Sequence, residues 1–439
     1  MALFSLTQQR PFTNEVKLAH MNKLTTYQAN RVRVEDGKLV VGFEEVGYEA
    51  VVSVEIAPAY ITFTVEELIV HPWDEKKPEN GQALYARAEY SVKLLGTKAA
   101  LIVCPTASFM DVMEGFEEDF DLPRGVASRR DPRINNSLLR VPFLNPENVD
   151  DYIGYAKKAG LKNMLIYYTA MFEEGYIYDL IGNYDWRACY PNKEADLKLV
   201  LDKLKAAGIT PGLHFLHTHI GINSRYVTPV PDHRLNLKQH YTLARPITET
   251  DDVIYVEQPL DFAPKHEKCR VLKFGTELIY YDRAVAEKPY RFEGCVRGYN
   301  GTTAAAFPTG YIGGLLDISE FGGVSMHLDQ NSDLQEEISA KLANAYNQGF
   351  EFCYFDGSEG TNAPFEYHVP NAQMRMYKQL DTPPVFSEGA AKSHFSWHLI
   401  TGGNAFDMWP NDVFKKMIVQ FTFIEAELMR ADYNRVNFG

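Results

Sequence analysis

At 439 residues the chain exceeds an ordinary single domain and has room for a catalytic domain of roughly 250 residues beside smaller β-rich segments. Its 58 acidic residues outnumber 44 basic ones, for a formal charge of -14, and no Lys/Arg-rich run interrupts that balance. This argues against nucleic acid or an anionic membrane as partner, and no apolar stretch approaches the roughly 20 residues of a membrane span. The sequence reads as soluble: cytoplasmic, or periplasmic or secreted where a leader has been removed, since residues 1–12 carry no basic and apolar signal pattern. Cys104, Cys189, Cys269, Cys295 and Cys353 are scattered and form no C-x-x-C pair, so they set no redox compartment.

Residues 25–100 alternate polar and apolar positions, as at 38–43 and 60–65, which predicts an N-terminal β-sandwich-like domain over residues 1–97. From residue 98 the rhythm becomes helix followed by apolar strand. Residues 150–158 close on Gly160 before the apolar run 163–168, and residues 195–204 close on Gly208 before 209–215. The same grammar recurs at 334–346 with Gly349 before 350–355, and at 374–380 before 384–386. Repeated helix–strand units imply a parallel sheet, and their number, with an early strand near 99–103, favours a (β/α)8 TIM-like barrel over a doubly wound sheet. The helical rhythm disappears between 223 and 330, where apolar runs at 270–274 and 277–281 and the Asn300-Gly301 turn signal predict a β-rich insertion. The barrel is thus expected in two parts, 98–222 and 331–439, with a last amphipathic helix at 412–430.

Catalytic groups of such a barrel come from the C-terminal ends of its strands. Tyr354-Phe355-Asp356-Gly357-Ser358-Glu359 ends an apolar strand in Asp, Gly and a second carboxylate, and Phe386-Ser387-Glu388-Gly389 repeats the pattern one unit later. A carboxylate pair on one rim is what glycoside hydrolysis requires, one as nucleophile or base and one as acid. The alternative for Asp356 is a helix cap. In Leu213-His214-Phe215-Leu216-His217-Thr218-His219 the i, i+2 pair His217 and His219 is a candidate to bond sugar hydroxyls, to support the loop, or to bind a divalent metal in a hydrolase or lyase. Trp186 offers a stacking face, with Asp185 and Arg187 to bond a sugar or to clasp their own loop, and His394, Trp397 and His398 are lining candidates farther on. No G-x-S-x-G elbow, G-x-G-x-x-G fingerprint or H-E-x-x-H helix is present, which argues against serine hydrolase, dinucleotide enzyme and zincin readings; the glycosidase reading needs no cofactor and no metal.

The strand end Tyr354-Phe355-Asp356-Gly357, with the helix–Gly–strand unit through Gly208-Ile209-Thr210-Pro211-Gly212-Leu213-His214, resembles the barrels of α-L-fucosidase-type and α-galactosidase-type glycoside hydrolases. The resemblance covers residues 98–222 and 331–410 and does not extend to the early-strand His-His-Asp-Gly-Phe motif of those fucosidases. It implies a glycosidase with Asp356 as nucleophile. The expectation is therefore a retaining glycoside hydrolase acting on an oligo- or polysaccharide, with Glu388 as acid/base and His217, His219, Asp185, Trp186, Arg187, Glu359, His394, Trp397 and His398 around the substrate. A non-catalytic carbohydrate-binding barrel is the other class to separate from it.

Overall fold

The computed structural model describes residues 5–9, 24–44, 47–58, 60–70, 95–175, 178–260, 264, 266–319, 323–358, 361–389, 397–401 and 437–438. Glu359, His394 and the helix expected at 412–430 lie outside the described residues. The chain divides into two compact units, residues 1–112 and 113–439. Among the described residues no helix is long and apolar enough to cross a membrane.

In the first unit, strands Arg31–Glu35, Lys38–Phe43, Tyr48–Ile56, Tyr60–Val70 and Lys98–Ile102 form one antiparallel meander in chain order. Val41, Phe43, Ala50 and Val52 are its buried cluster, as alternation with one wet face requires. The described residues thus form a single sheet with a separate two-stranded ribbon, not two packed sheets. The strand expected to open the barrel near residue 99 belongs here, paired antiparallel with Tyr60 through Thr64. The physical reason is visible in its burial: Lys98 and Ala100 are exposed, whereas parallel strands covered on both faces are buried at nearly every position.

The second unit is built on six parallel strands: β1 (Leu138–Val141), β2 (Asn163–Tyr167), β3 (Thr210–Leu216), β4 (Phe352–Asp356), β5 (Ser387–Gly389) and β6 (Asn437–Phe438). Their order across the sheet is β5-β4-β3-β2-β1-β6, an open row with no closed ring among the described residues. Helices α1 (Val149–Ala159), α2 (Glu194–Ala206), α3 (Leu334–Tyr346) and α4 (Phe365–Tyr377) alternate with these strands. α1 ends on left-handed Gly160, φ 71°, as its sequence signal predicts. α2 buries Leu197, Val200, Leu201 and Leu204, spaced i, i+3, i+4 and i+7 on one face. Each such side chain contributes about 1.5–3 kcal/mol when taken fully out of water. β1 is only four residues long and stops before Pro142, which is why the sequence rhythm does not reveal it.

Strand alternation sorts the sheet into two faces. Val141, Met164, Ile166, Leu213, Phe215, Cys353 and Phe355 join the helices in the main core. Leu138, Leu165, Phe352, Tyr354 and Phe386 form a separate cluster on the opposite, inner face. Gly212 belongs to that inner face: a Cβ there would lie 2.1 Å from the Phe352 ring, which occupies the space instead. Gly212→Ala is therefore expected to cost at least about 1–3 kcal/mol through overpacking, read as a lower urea midpoint. An unchanged midpoint would contradict this packing.

Between β3 and α3 the chain makes its β-rich excursion. A ribbon of His219–Gly221 with Ser325–His327 carries the chain out and back. Between these lie a four-stranded antiparallel sheet (Leu237–Thr242, Ile312–Leu316, Val271–Phe274, Glu277–Tyr280) and a three-stranded one (Val253–Tyr255, Arg291–Glu293, Arg283–Val285). They share a core that includes Tyr241, Leu272, Phe274, Ile279, Tyr281 and Phe292. The Asn300-Gly301 signal makes a tight turn over Tyr299–Gly301 with Asn300 in the left-handed region, φ 54°, not a hairpin. Asn300 Nδ2 donates to the Ile222 carbonyl, and Thr228 Oγ1 donates to the Asn300 carbonyl, so this turn pins the excursion to the segment that leaves β3.

Candidate active site

The inner face becomes polar toward the C-terminal ends of the strands. Register places Tyr167 of β2, His214 of β3, Tyr354 of β4 and Glu388 of β5 in one row across the sheet. The His214 ring stacks between Tyr167, at 3.9 Å between centroids, and Tyr354, at 5.2 Å. Arg140, on the same face of β1, donates from Nε to Tyr167 Oη at 3.1 Å.

Asp356 stands one row higher, as the last residue of β4, with its side chain 29% exposed. Its Oδ2 accepts from His214 Nε2 at 3.1 Å. Burial pushes this carboxyl up, but the hydrogen bond and charge of His214 and the Gly357 N–H outweigh it and hold it below the ordinary aspartate range. It is a carboxylate at neutral pH, partly open and fixed in direction. His214 is the partner of Asp356 that sequence reasoning passed over in favour of its neighbours. The signal was its phase: His214 alternates with Gly212 and Leu216, away from the helix-facing Leu213 and Phe215.

Tyrosines wall the same region. Tyr168 is fully buried, 6.4 Å from both His214 and Tyr178 between ring centroids. Burial raises the phenols of Tyr168 and Tyr178, and the charges of Glu174 and Asp356 add to this in both. Burial likewise holds Glu174 above the usual carboxyl range. Two carboxylates therefore act on one tyrosine pair. Glu174 lies on an irregular loop after β2, where no strand or helix period marks it in the sequence.

Glu388 differs from its expected setting. Residues 387–389 are themselves the strand, so Glu388 pairs in register with Tyr354 and is fully buried instead of following a strand end at 386. A strand spacing near 4.8 Å and a two-residue rise of about 6.6 Å put its Cα about 8 Å from that of Asp356 on the same face.

His217 and His219 are turned to the segment after Asp356. His217 Nε2 lies 3.3 Å from Ser358 Oγ, and His219 Nε2 lies 2.6 Å from the Gly357 carbonyl oxygen. Both rings are buried, and desolvation, followed by the neighbouring histidine in each case, pushes them down to about 3. An imidazole kept neutral in the fold but free to charge when unfolded adds stability that is complete above the unfolded value near 6.5 and is lost as pH falls toward 3. The urea midpoint should accordingly drop across that window, and His217→Gln with His219→Gln should flatten the drop. A pH-independent midpoint would refute the burial of neutral rings. Among the described residues no group of three or more His, Cys, Asp or Glu is arranged to hold a metal ion.

The other candidates have different partners. Asp185 pairs with Arg225 at 2.6 Å, both more than half exposed. Arg187 donates to the Thr169 carbonyl at 3.1 Å, and Trp186 packs on Phe172 and Tyr190, with centroids at 4.9 and 5.9 Å. The Arg129 guanidinium lies 4.1 Å above the Trp397 ring, and His398 Nδ1 is 2.8 Å from buried Glu117. The structure thus joins Asp356, His214 and the tyrosines with Glu388 behind them, and holds Trp397 and His398 against the helical segments 109–119 and 125–130.

No protein-family model and no curated protein matches the sequence. Among solved structures the chain is similar to the α-galactosidase TtGalA from Thermus thermophilus, at 9% identity and a TM-score of 0.36 over 86% of this chain and 62% of that one. It is similar also to trehalose-6-phosphate hydrolase from Bacillus licheniformis, at 8% identity and a TM-score of 0.38, covering 70% and 57%. A third is Amy13B of Eubacterium rectale, at 10% identity and a TM-score of 0.40, covering 71% and 59%. The chain spans less than two thirds of each of these proteins. Its resemblance to solved glycoside hydrolases is a distant one.

Proposed function

We propose that this chain is a retaining glycoside hydrolase of oligo- or polysaccharides, with Asp356 as nucleophile and Glu388 as its acid/base partner. The observation that carries this reading is Asp356 itself: a carboxylate at the C-terminal rim of a parallel sheet, aimed by His214, kept ionised while mostly buried, and close enough to Tyr167, Tyr168 and Tyr178 for its charge to act on their phenols. Ionisation suits attack on the anomeric carbon, and the tyrosine faces suit a sugar ring. In the first step an Asp356 oxygen bonds to the anomeric carbon while the bond to the leaving oxygen breaks and that oxygen takes the proton of Glu388. In the second, water gives a proton to Glu388 and displaces Asp356 from the sugar.

The same reading takes the six parallel strands as part of an eight-stranded barrel around the Leu138, Leu165, Phe352 and Phe386 cluster, interrupted by the excursion of residues 223–330. Support comes from the inner face, which buries its side chains against one another, as the 4.4 Å stacking of Phe352 on Phe386 illustrates. His217 and His219 then serve the turn beside the nucleophile, and Asp185, Trp186 and Arg187 the outer wall of the substrate cleft.

A panel of aryl glycosides tests the assignment. Azide added to Asp356→Gly should restore turnover and give a glycosyl azide of inverted configuration, as replacement of a nucleophile requires. Glu388→Gln should slow substrates with poor leaving groups by about 10²–10⁴-fold while sparing dinitrophenyl glycosides. Equal effects on both leaving groups would remove Glu388 from the acid role, and azide without effect would remove Asp356 from the nucleophile role.

A further inference from the structure

The turn that follows Asp356 is gripped by three consecutive residues from the start of the β-rich excursion. Gly357 has φ +74°, and a Cβ there would meet Leu216 Cδ2 at 2.6 Å and the His219 ring at 2.9 Å. Its carbonyl oxygen accepts from Thr218 Oγ1 at 2.8 Å and faces His219 Nε2 at 2.6 Å. A carbonyl oxygen can only accept, so His219 carries its proton on Nε2. Nδ1 of the same neutral ring lies 2.9 Å from Ser325 Oγ and therefore accepts from that hydroxyl. Ser325 belongs to the strand on which the excursion returns, opposite Gly221, while His327 pairs with His219 itself. One ring thus reads the position of the returning strand on one edge and holds the peptide next to Asp356 on the other.

We propose that His219 is a positioning residue for Asp356, transmitting the seating of the β-rich excursion through Ser325 to the Gly357 carbonyl and so to the direction of the carboxylate. This rests on the reading of Asp356 as the reacting group. The excursion is then part of the catalytic apparatus, although its role is exerted through a backbone carbonyl.

Two readouts test it on the full chain. With ¹⁵N-labelled histidine at neutral pH, His219 should show a single tautomer protonated on Nε2, and Ser325→Ala, which leaves the Gly357 acceptor in place, should keep that tautomer while shifting the Nδ1 resonance that has lost its donor. In turnover of aryl glycosides, His219→Leu should lower kcat by about 100-fold with KM little changed, since a small misdirection of an attacking group has that effect. His219→Gln, whose amide can donate to Gly357 and accept from Ser325, should stay within about threefold of wild type. It keeps the proposal falsifiable if His219→Leu does not fold. Wild-type kcat in folded His219→Leu, or His219→Gln as impaired as His219→Leu, would overturn the proposal. A ring protonated on Nδ1 would do the same. If the wild type hydrolyses no glycoside, the glycosidase reading fails by itself; the Nε2-protonated tautomer and the shift of the Nδ1 resonance in Ser325→Ala would still support the bracing of Gly357.

Discussion

Asp356→Ala is expected to lose about four orders of magnitude or more in kcat on aryl glycosides, the scale on which removal of a covalent nucleophile acts. The fold should persist, because the side chain sits at the rim and is partly exposed. Its removal strands His214 Nε2, a buried donor whose unmet hydrogen bond costs about 1–3 kcal/mol. Asp356→Asn separates the two effects: an amide oxygen can still accept from His214, so stability should recover while turnover does not. Near-wild-type turnover in either variant would sink the assignment. The acid limb of the pH profile provides a second check. With its carboxyl held below the ordinary range, Asp356 adds stability and remains nucleophilic above the unfolded value, and both are lost as pH falls through the lower folded value. In His214→Phe that limb should move to higher pH, since the interaction holding the carboxyl down is gone.

The largest stability effect is expected within the β-rich excursion. Glu277 is fully buried against Arg297: Nε reaches Oε1 at 2.9 Å and Nη2 reaches Oε2 at 2.7 Å. The N–H groups of Gly298 and Ala305 complete the carboxylate, and Arg297 also donates to the carbonyls of Ala305 and Thr248. Glu277→Ala should destabilise this segment by about 3–5 kcal/mol, chiefly because it leaves a buried guanidinium without its counter-charge. Replacing both residues by apolar ones of similar volume removes the unpaired charge, so the remaining cost is that of the N–H groups of Gly298 and Ala305 left without an acceptor, about 1–3 kcal/mol each. Hydrogen exchange of Val271–Phe274 and Glu277–Tyr280 measures the effect where it arises. Equal protection in the single and wild-type proteins would show that the pair contributes little.

Much of the parallel sheet could be read without coordinates because local signals agree with tertiary packing there. In α1 and α2 the apolar stripe, the closing glycine and the buried run that follows all point to one helix–strand unit. Reading failed where local and global signals part. Residues 98–102 look like any apolar strand, and only pairing with residues 60–64 assigns them to the antiparallel sheet. Glu388 was legible as a carboxylate near β4 but not as a member of the row of Tyr354, because a strand of three residues has too few positions to declare its own start.

For the candidate site the division is similar. The sequence by itself determined that Asp356 ends an apolar strand before a glycine, and that three histidines cluster at the end of another, since strand composition and the turn residue are local properties. Tertiary structure alone decided which histidine meets which group. His214 lies on the inner face with Asp356, whereas His217 and His219, beyond the end of β3, turn to the Ser358 and Gly357 side of the turn. That choice depends on the register of β3 against β4 and on a strand returning more than a hundred residues later, and neither is a property of the local sequence.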